Sequence, residues 1–335
     1  MESIESILGQ TFRKFEFIIL DFGSTDKSKK IVSEYAAEDD RIRLHEIPRC
    51  GLPGARNAAC LLAQGKYIAV QDADDISLPN RLKWEVEFME SRPEVGFLGG
   101  AAEWVNAEGR SLWVDNVLTN DGELQSALLT CCPFIHTSVL MRRTAFALVG
   151  GYRLVFPQAH DYDLWLRISE HFQCANLKQA VVKYRIHPHQ LSLHKRQQQT
   201  LALLAAQASA SARRTLKMDP LNFVQEITPA VLVGMGVTPA RQQAEIFVQY
   251  RNWIRNMFVA GDYSVALKAA MEVLQSDLED IDRGEIADLR LRVAQLYWKQ
   301  DKFYRCFVAA CHAVITKPAV ARDLFESLLR RIKIA

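Results

Sequence analysis

The sequence predicts an α/β fold followed by an all-α C-terminal region, and three observations carry that expectation. Short apolar and β-branched runs alternate with amphipathic stretches over roughly the first 100 residues, a pattern that builds a mostly parallel sheet with helices on both faces. Two of those runs lead straight into carboxylates, Asp21 after 15–20 and Asp72 after 67–70, and ligands on such sheets sit at the carboxyl ends of strands. Beyond Lys195 the strand-like runs stop, and Ala-rich, helix-forming sequence takes over.

Each element follows from its own residues. Strands are expected at 15–20, 42–47, 67–70 and 95–98, where apolar residues run together or alternate. Helices are expected at 26–37, 53–63 and 79–91; Asp26 can cap the first, while Pro53 and Pro79 suit first-turn positions where a missing N–H costs little. Residues 101–160 are less regular, with Gly109, Asp121-Gly122 and Gly150-Gly151 as breakers and strands at 113–118 and 137–141, in the manner of a mixed or antiparallel extension. A helix at 161–171 and a strand at 180–186 complete a domain of residues 1–195. Residues 196–240 read as a helical linker broken at Asp219-Pro220 and Thr238-Pro239, and residues 241–335 as a helical domain. Its stretches 261–270 and 301–310 both set an aromatic three and seven places before small residues, a weak likeness to the tetratricopeptide repeat; two units are fewer than the ~3 of a stable array.

Composition narrows the function. The chain has 335 residues, 49% hydrophobic and 24% charged, enough for about two domains at ~150 residues each. Subtracting 39 acids from 41 bases leaves +2, so there is no general electrostatic attraction for nucleic acid. Seven cysteines without C-x-x-C spacing indicate neither a disulfide framework nor a zinc site, and a reducing cytoplasm is the expected setting. There is no apolar run of ~18 residues and no secretion-signal layout at the start. A cytoplasmic protein is expected, with room for peripheral contact at the inner membrane face or with a protein through the helical C-terminal region.

The most informative segment is Gln71-Asp72-Ala73-Asp74-Asp75, which places three carboxylates in four positions after an apolar run. Hard divalent ions such as Mg²⁺ or Mn²⁺ take one or two carboxylates and share substrate phosphates; the alternative is an acidic cap for the helix starting near Pro79. Asp21-Phe22-Gly23-Ser24-Thr25-Asp26 offers an acceptor for a base or ribose, or simply a turn with a cap. In Gly51-Leu52-Pro53-Gly54-Ala55-Arg56-Asn57, a guanidinium one turn into a helix can meet phosphate, or a small helix face can pack on the sheet. Asp161 and Asp163 are two apart at a helix start and diverge, so at most one points into a given site. His187, His189 and His194 could bind metal or be solvated loop residues, His187 being the one to watch. Gly-x-Ser-x-Gly and the phosphate loop Gly-x-x-x-x-Gly-Lys-Ser/Thr are absent.

In this order, over roughly residues 3–195, these segments resemble the family 2 glycosyltransferases, which have the nucleotide-sugar-binding GT-A fold. The resembling residues are Ser6-Ile7-Leu8-Gly9-Gln10-Thr11-Phe12, 17–26, Gly54-Ala55-Arg56-Asn57, Asp72-Ala73-Asp74-Asp75, Gly150-Gly151-Tyr152, 161–167 and Tyr184-Arg185-Ile186-His187. The resemblance implies Asp21, Arg56 and Asp72 at the nucleotide sugar, Asp72 and Asp74 on the metal, and Asp161 as catalytic base. The family normally begins with another, central strand; Met1 falls inside the helix that follows it, so the domain is read as lacking its first strand. Asp21-Phe22-Gly23-Ser24 stands where the family has Asp-Asp-Gly-Ser, and His160 where Glu is frequent. The Gln-x-x-Arg-Trp motif of processive synthases is absent. The implied function is an inverting, non-processive transfer of a sugar from a nucleotide diphosphate donor to a glycan, lipid-linked or protein acceptor hydroxyl. The rival readings are a non-catalytic pseudoenzyme acting as an interaction module, and a nucleotidyltransferase on a similar sheet.

Overall fold

The structure is a computed structural model and describes residues 1–188, 193–276, 278–319 and 321. The chain forms two compact units, one of Met1–Arg185 with Leu201–Gly236, the other of Ile186–Thr200 with Val237–Ala335.

The first unit runs α1 (Glu2–Leu8), β1 (Phe17–Asp21), α2 (Ser28–Glu38), β2 (Ile42–Glu46), α3 (Gly51–Leu62), β3 (Tyr67–Ala69), β4 (Ile76–Ser77), α4 (Arg81–Ser91), β5 (Val95–Val105), β6 (Ser111–Val114), α5 (Asp121–Ala127), β7 (Leu140–Arg142), α6 (Arg143–Leu148), α7 (His160–Ile168) and β8 (Gln173–Arg185). After α8 (Leu193–Leu216) comes the short α9 (Pro229–Gly234). β1 and β2 pair in parallel, with Phe17 opposite Ile42 and Asp21 opposite Glu46. A second sheet has the order β3-β7-β5-β8-β4, with β6 on β5. Its β5–β8 ladder is parallel and its other ladders are antiparallel. Among the described residues no strand joins β1 to β3, so the two sheets are separate ladders.

Strand β5 is the core. Phe97, Leu98, Ala101 and Ala102 have no exposed surface, as a strand buried on both faces requires. Phe97 stacks on Trp165 of α7 at 4.9 Å. Gly99 has no room for a side chain, since a Cβ there would lie 2.3 Å from Oδ1 of Asn176. Helix α1 is tied to α4 by Gln10, which is fully buried. Its Nε2 donates to the carbonyls of Ser6 and Leu78, and its Oε1 accepts from the Leu82 amide.

Several expectations shift. The strand expected at 137–141 divides into a 3-10 turn, His136–Ser138, and β7, because the Ser138 amide and Oγ both donate to the Ile135 carbonyl. Asp121-Gly122 is no breaker; it lies in the first turn of α5, where Asn120 Oδ1 accepts from the Gly122 amide at 2.9 Å. The strand expected at 113–118 is Ser111–Val114, and β8 reaches back to Gln173 along β5.

The second unit holds α10 (Pro239–Ala260), α11 (Tyr263–Gln275), α12 (Arg283–Trp298) and α13 (Phe303–Thr316), each packed on the next. The small residues Ala266, Ala269, Ala287, Ala294, Ala309 and Ala313 are all buried. Small side chains let helix backbones approach closely, as the aromatic-and-small spacing predicts. On its outer face α13 exposes Tyr304, Phe307 and Ile315.

Candidate active site

The acidic segment after β3 is a loop fastened from all sides, and that fastening aims its carboxylates. The Gln71 amide nitrogen donates to Ser3 Oγ and to the carbonyls of Asp72 and Asp75, while its oxygen accepts from Ser77 Oγ and Arg81 Nη1. The Asp72 amide donates to Thr137 Oγ1 at 3.2 Å. Asp75 is buried, and its Oδ1 accepts from the Arg185 amide at 2.8 Å. Burial lifts its carboxyl to about 8, with Asp74 and Asp72 adding to the rise against the Arg185 amide. None of these aspartates caps α4, whose N-cap is Asn80. The acidic-cap alternative is therefore not what this loop does.

Helix α3 brings Arg56. Its Nη2 donates to Asp72 Oδ1 at 2.8 Å, and its Nη1 rests against the His136 ring, 2.6 Å from Nε2. His136 Nδ1 lies 3.7 Å from Asp72 Oδ2. Burial opposes ionisation of Asp72, but His136, Arg56 and His160 outweigh it and hold the carboxyl well below its usual range. The next residue on α3, Asn57, clamps the turn before α7: its Nδ2 donates to the Tyr152 carbonyl at 2.7 Å, and its Oδ1 accepts from the Tyr152 amide at 2.8 Å. That turn needs Gly151, whose φ is +74° and where a Cβ would lie 2.7 Å from Asn57 Oδ1. Tyr152 Oη in turn lies 3.1 Å from His136 Nε2.

Helix α7 carries Asp161 and Asp163 on different faces, as their spacing predicts. Asp163 is fully buried and accepts from Arg153 and Arg167. Arg167 also donates to the carbonyls of Val149 and Gly151, both at 2.6 Å. Asp161 is only half-buried and belongs to the other cluster. Burial pushes its carboxyl up, and His136, His160 and Arg56 more than reverse that, so it stays ionised. Burial lowers His160 to about 4 against the pull of Asp161, so its imidazole is neutral.

The structure thus gathers Arg56, Asp72 and Asp161 around His136 and His160. Asp74 is exposed on the same loop, its carbonyl accepting from Arg185 Nε at 3.1 Å. The hydroxyl of the half-buried Tyr184 is pushed up by burial, then by Asp75, Asp72, Asp74 and Asp161. Asp21 stands apart. It ends β1, and its Oδ1 accepts from the Ser24 amide at 2.9 Å, which with the Lys29 charge lowers its carboxyl; no described interaction ties it to Asp72. His187 is half-buried, His189 lies outside the described residues, and the side chain of His194 is likewise not described. Sequence reasoning missed His136, a lone imidazole in Ile135-His136-Thr137-Ser138 with no periodicity or spacing to mark it.

Among the described residues no three His, Cys, Asp or Glu side chains form a metal cage. The ionised Asp72 with the exposed Asp74 still fits Mg²⁺ or Mn²⁺, ions that commonly take one or two carboxylates and fill their shell with substrate phosphates and water.

The comparisons with known proteins agree with this fold. The model of Glycosyl transferase family 2 matches residues 1–149. The putative glycosyltransferase EpsE of Bacillus subtilis is 33% identical over 240 residues, covering 70% of this chain and 84% of that protein. The Escherichia coli UDP-Glc:alpha-D-GlcNAc-diphosphoundecaprenol beta-1,3-glucosyltransferase WfaP is 30% identical over 198 residues, covering 58% of this chain and 74% of that protein. Among solved structures, S. aureus TarS 1-349 in complex with UDP-GlcNAc superposes with a TM-score of 0.51 at 15% identity, covering 92% of this chain and 86% of that one. The mannosyltransferase PcManGT of Pyrobaculum calidifontis, in complex with GDP-Man and Mn2+, gives 0.50 at 18% identity, covering 94% and 83%. At such identities the solved structures speak for the GT-A-like fold alone, while the sequence relatives carry the assignment: the chain belongs to the family 2 glycosyltransferases.

Proposed function

We propose that this glycosyltransferase moves one sugar from a nucleotide diphosphate donor to the hydroxyl of a glycan, lipid-linked or protein acceptor, inverting the anomeric centre, with Asp161 as the base. The observation that carries the reading is the shared electrostatic neighbourhood of Arg56, Asp72 and Asp161, contributed by α3, the β3 loop and α7. Asp161 is ionised and half-exposed, the state and place a general base needs. It takes the proton of the acceptor hydroxyl as that oxygen attacks the anomeric carbon from the face opposite the leaving group, and a single displacement inverts configuration. On the donor side Arg56 offers a guanidinium to the diphosphate, and Asp72 keeps it in position. A Mg²⁺ or Mn²⁺ held by Asp72 and Asp74 would supply Lewis-acid neutralisation of the departing diphosphate. Asp21 is assigned to the base or ribose, as the resemblance implies. The donor and acceptor classes named for WfaP, a UDP-linked sugar and a diphosphoundecaprenol lipid, support a nucleotide sugar donor and a lipid-linked acceptor here.

The test is sugar transfer followed by nucleoside diphosphate release, with UDP-glucose, UDP-N-acetylglucosamine and GDP-mannose as donors, lipid diphosphate sugars as acceptors and Mn²⁺ present. Asp161→Asn should lower kcat by about 10²–10⁴-fold, the usual worth of a general base, with donor affinity retained. Asp74→Asn should lose activity together with metal dependence. Full turnover in Asp161→Asn overturns the assignment of the base. A chain that binds none of these donors would instead be the non-catalytic interaction module.

A further inference from the structure

We propose that the outer face of α13 docks on an anionic lipid bilayer, so that the chain settles on a membrane surface through this helix. The inference goes beyond sugar transfer and does not depend on it.

Helix α13 has two unlike faces. Ala309 and Ala313 are buried, and Ala313 packs in one cluster with Ala287 and Leu291 of α12. Tyr304, Phe307, Cys311 and Ile315 follow one another at spacings of three, four and four, the repeat that lines residues along one side of a helix. That side faces outward: Tyr304 is 81% exposed, Phe307 68% and Ile315 76%, with Cys311 half-buried between them. At the start of the helix Trp298 and Phe303, each 53% exposed, meet edge to face at 5.0 Å and carry the stripe round the turn from α12. Scattered apolar side chains on a surface are ordinary, whereas a continuous row of large ones marks a surface made to be covered.

Charge selects what covers it. Between residues 298 and 319 the four cations Lys299, Lys302, Arg305 and Lys317 stand against one acid, Asp301, giving +3 where the whole chain carries only +2. All four are exposed. Lys299 and Arg305 lie over the rings of Tyr263 and Tyr297, Lys302 donates to Gln300, and no ion pair among the described residues neutralises any of them. An aromatic and aliphatic stripe fringed by cations is the composition of a helix lying in a membrane interface. Its apolar side chains enter the boundary between headgroups and acyl chains, and its long basic side chains reach anionic headgroups. With 14 residues α13 is shorter than the ~20 that span a bilayer, so it lies in the interface. A second copy of the chain would bring the same cations together, and like charges across an interface are costly. An anionic bilayer meets the stripe and its cationic fringe at once.

Co-sedimentation of the full chain tests this with vesicles of phosphatidylcholine alone and vesicles in which roughly one-third is phosphatidylglycerol, the anionic lipid supplying the surface potential. The proteins are the wild type, Phe307→Ser and the double variant Lys302→Ala/Arg305→Ala, with Tm and light scattering recorded for each. The wild type should bind the anionic vesicles far more tightly than the neutral ones, and added salt should weaken that binding. Phe307→Ser should weaken it on the order of tenfold, and the double variant on the order of 30-fold. Both variants should keep the wild-type Tm, because the replaced side chains are exposed. No binding to anionic vesicles, or binding indifferent to both variants, overturns the proposal. A wild-type dimer that Phe307→Ser splits overturns it in favour of a contact between copies, and a clear fall of Tm in Phe307→Ser overturns it in favour of a face covered by the chain itself.

Discussion

Asp72 and His160 share one cluster and are driven toward opposite protonation limits: Asp72 is held ionised by His136 and Arg56 beside it, and His160 is held neutral by burial. The second shift has a measurable sign. A histidine near 6.5 when unfolded and about 4 when folded adds stability that is complete above pH 6.5 and is lost as pH falls through 4. The contribution is at most about 3 kcal/mol. Chemical denaturation of the wild type should therefore show stability falling between pH 6.5 and 4, and His160→Phe should flatten that part of the curve. An unchanged slope would mean that His160 is solvated. At this scale Asp21 and Asp72 were legible because each follows an apolar run that betrays a strand end, whereas Asp161 sits at a helix start and was singled out by the resemblance. His136 was not legible: a lone imidazole carries no periodicity, and its place depends on a 3-10 turn closed by Ser138.

The helices and loops that aim these side chains are held by buried ion pairs. Asp163, Arg153 and Arg167 join α7 to the glycine turn, and Arg153 Nη1 reaches Asp219 at 2.8 Å, where Ser209 and Arg213 also bind. Removing one member strands the others, so Asp163→Ala should cost about 3–5 kcal/mol, a fall of roughly 10 °C in Tm. Gly151→Ala should cost about 2 kcal/mol or more, because the positive φ and the Asn57 contact forbid a side chain. It should also weaken activity beyond what stability explains, since Asn57 and Tyr152 position the His136 side of the site. A Gly151→Ala protein with wild-type Tm would refute the clamp. The sequence allowed the divergence of Asp161 and Asp163 to be read from helical spacing alone. It did not show which arginines meet Asp163, because those pairings depend on the turn at Gly150-Gly151 and on how α8 lies within the unit.

For the whole molecule, an α/β unit presents the cluster and a helical unit follows it. Alternation of apolar runs foretold the first, and the loss of strand-like runs beyond Lys195 foretold the second. What alternation could not show is strand order. β7 pairs antiparallel with β3 and β5, and the parallel β5–β8 ladder runs over ten pairs of partners spaced about 80 residues apart in sequence. Pairings at that separation leave no local trace. The central claim is that Asp72 anchors a nucleotide diphosphate site between α3 and the β3 loop. The most direct measurement is calorimetric titration of the chain with UDP and GDP, with and without Mn²⁺, for the wild type and for Asp72→Ala. The account predicts Mn²⁺-dependent binding of at least one nucleotide to the wild type and its loss in Asp72→Ala; binding that ignores both the metal and the substitution, or no binding to the wild type, would contradict it.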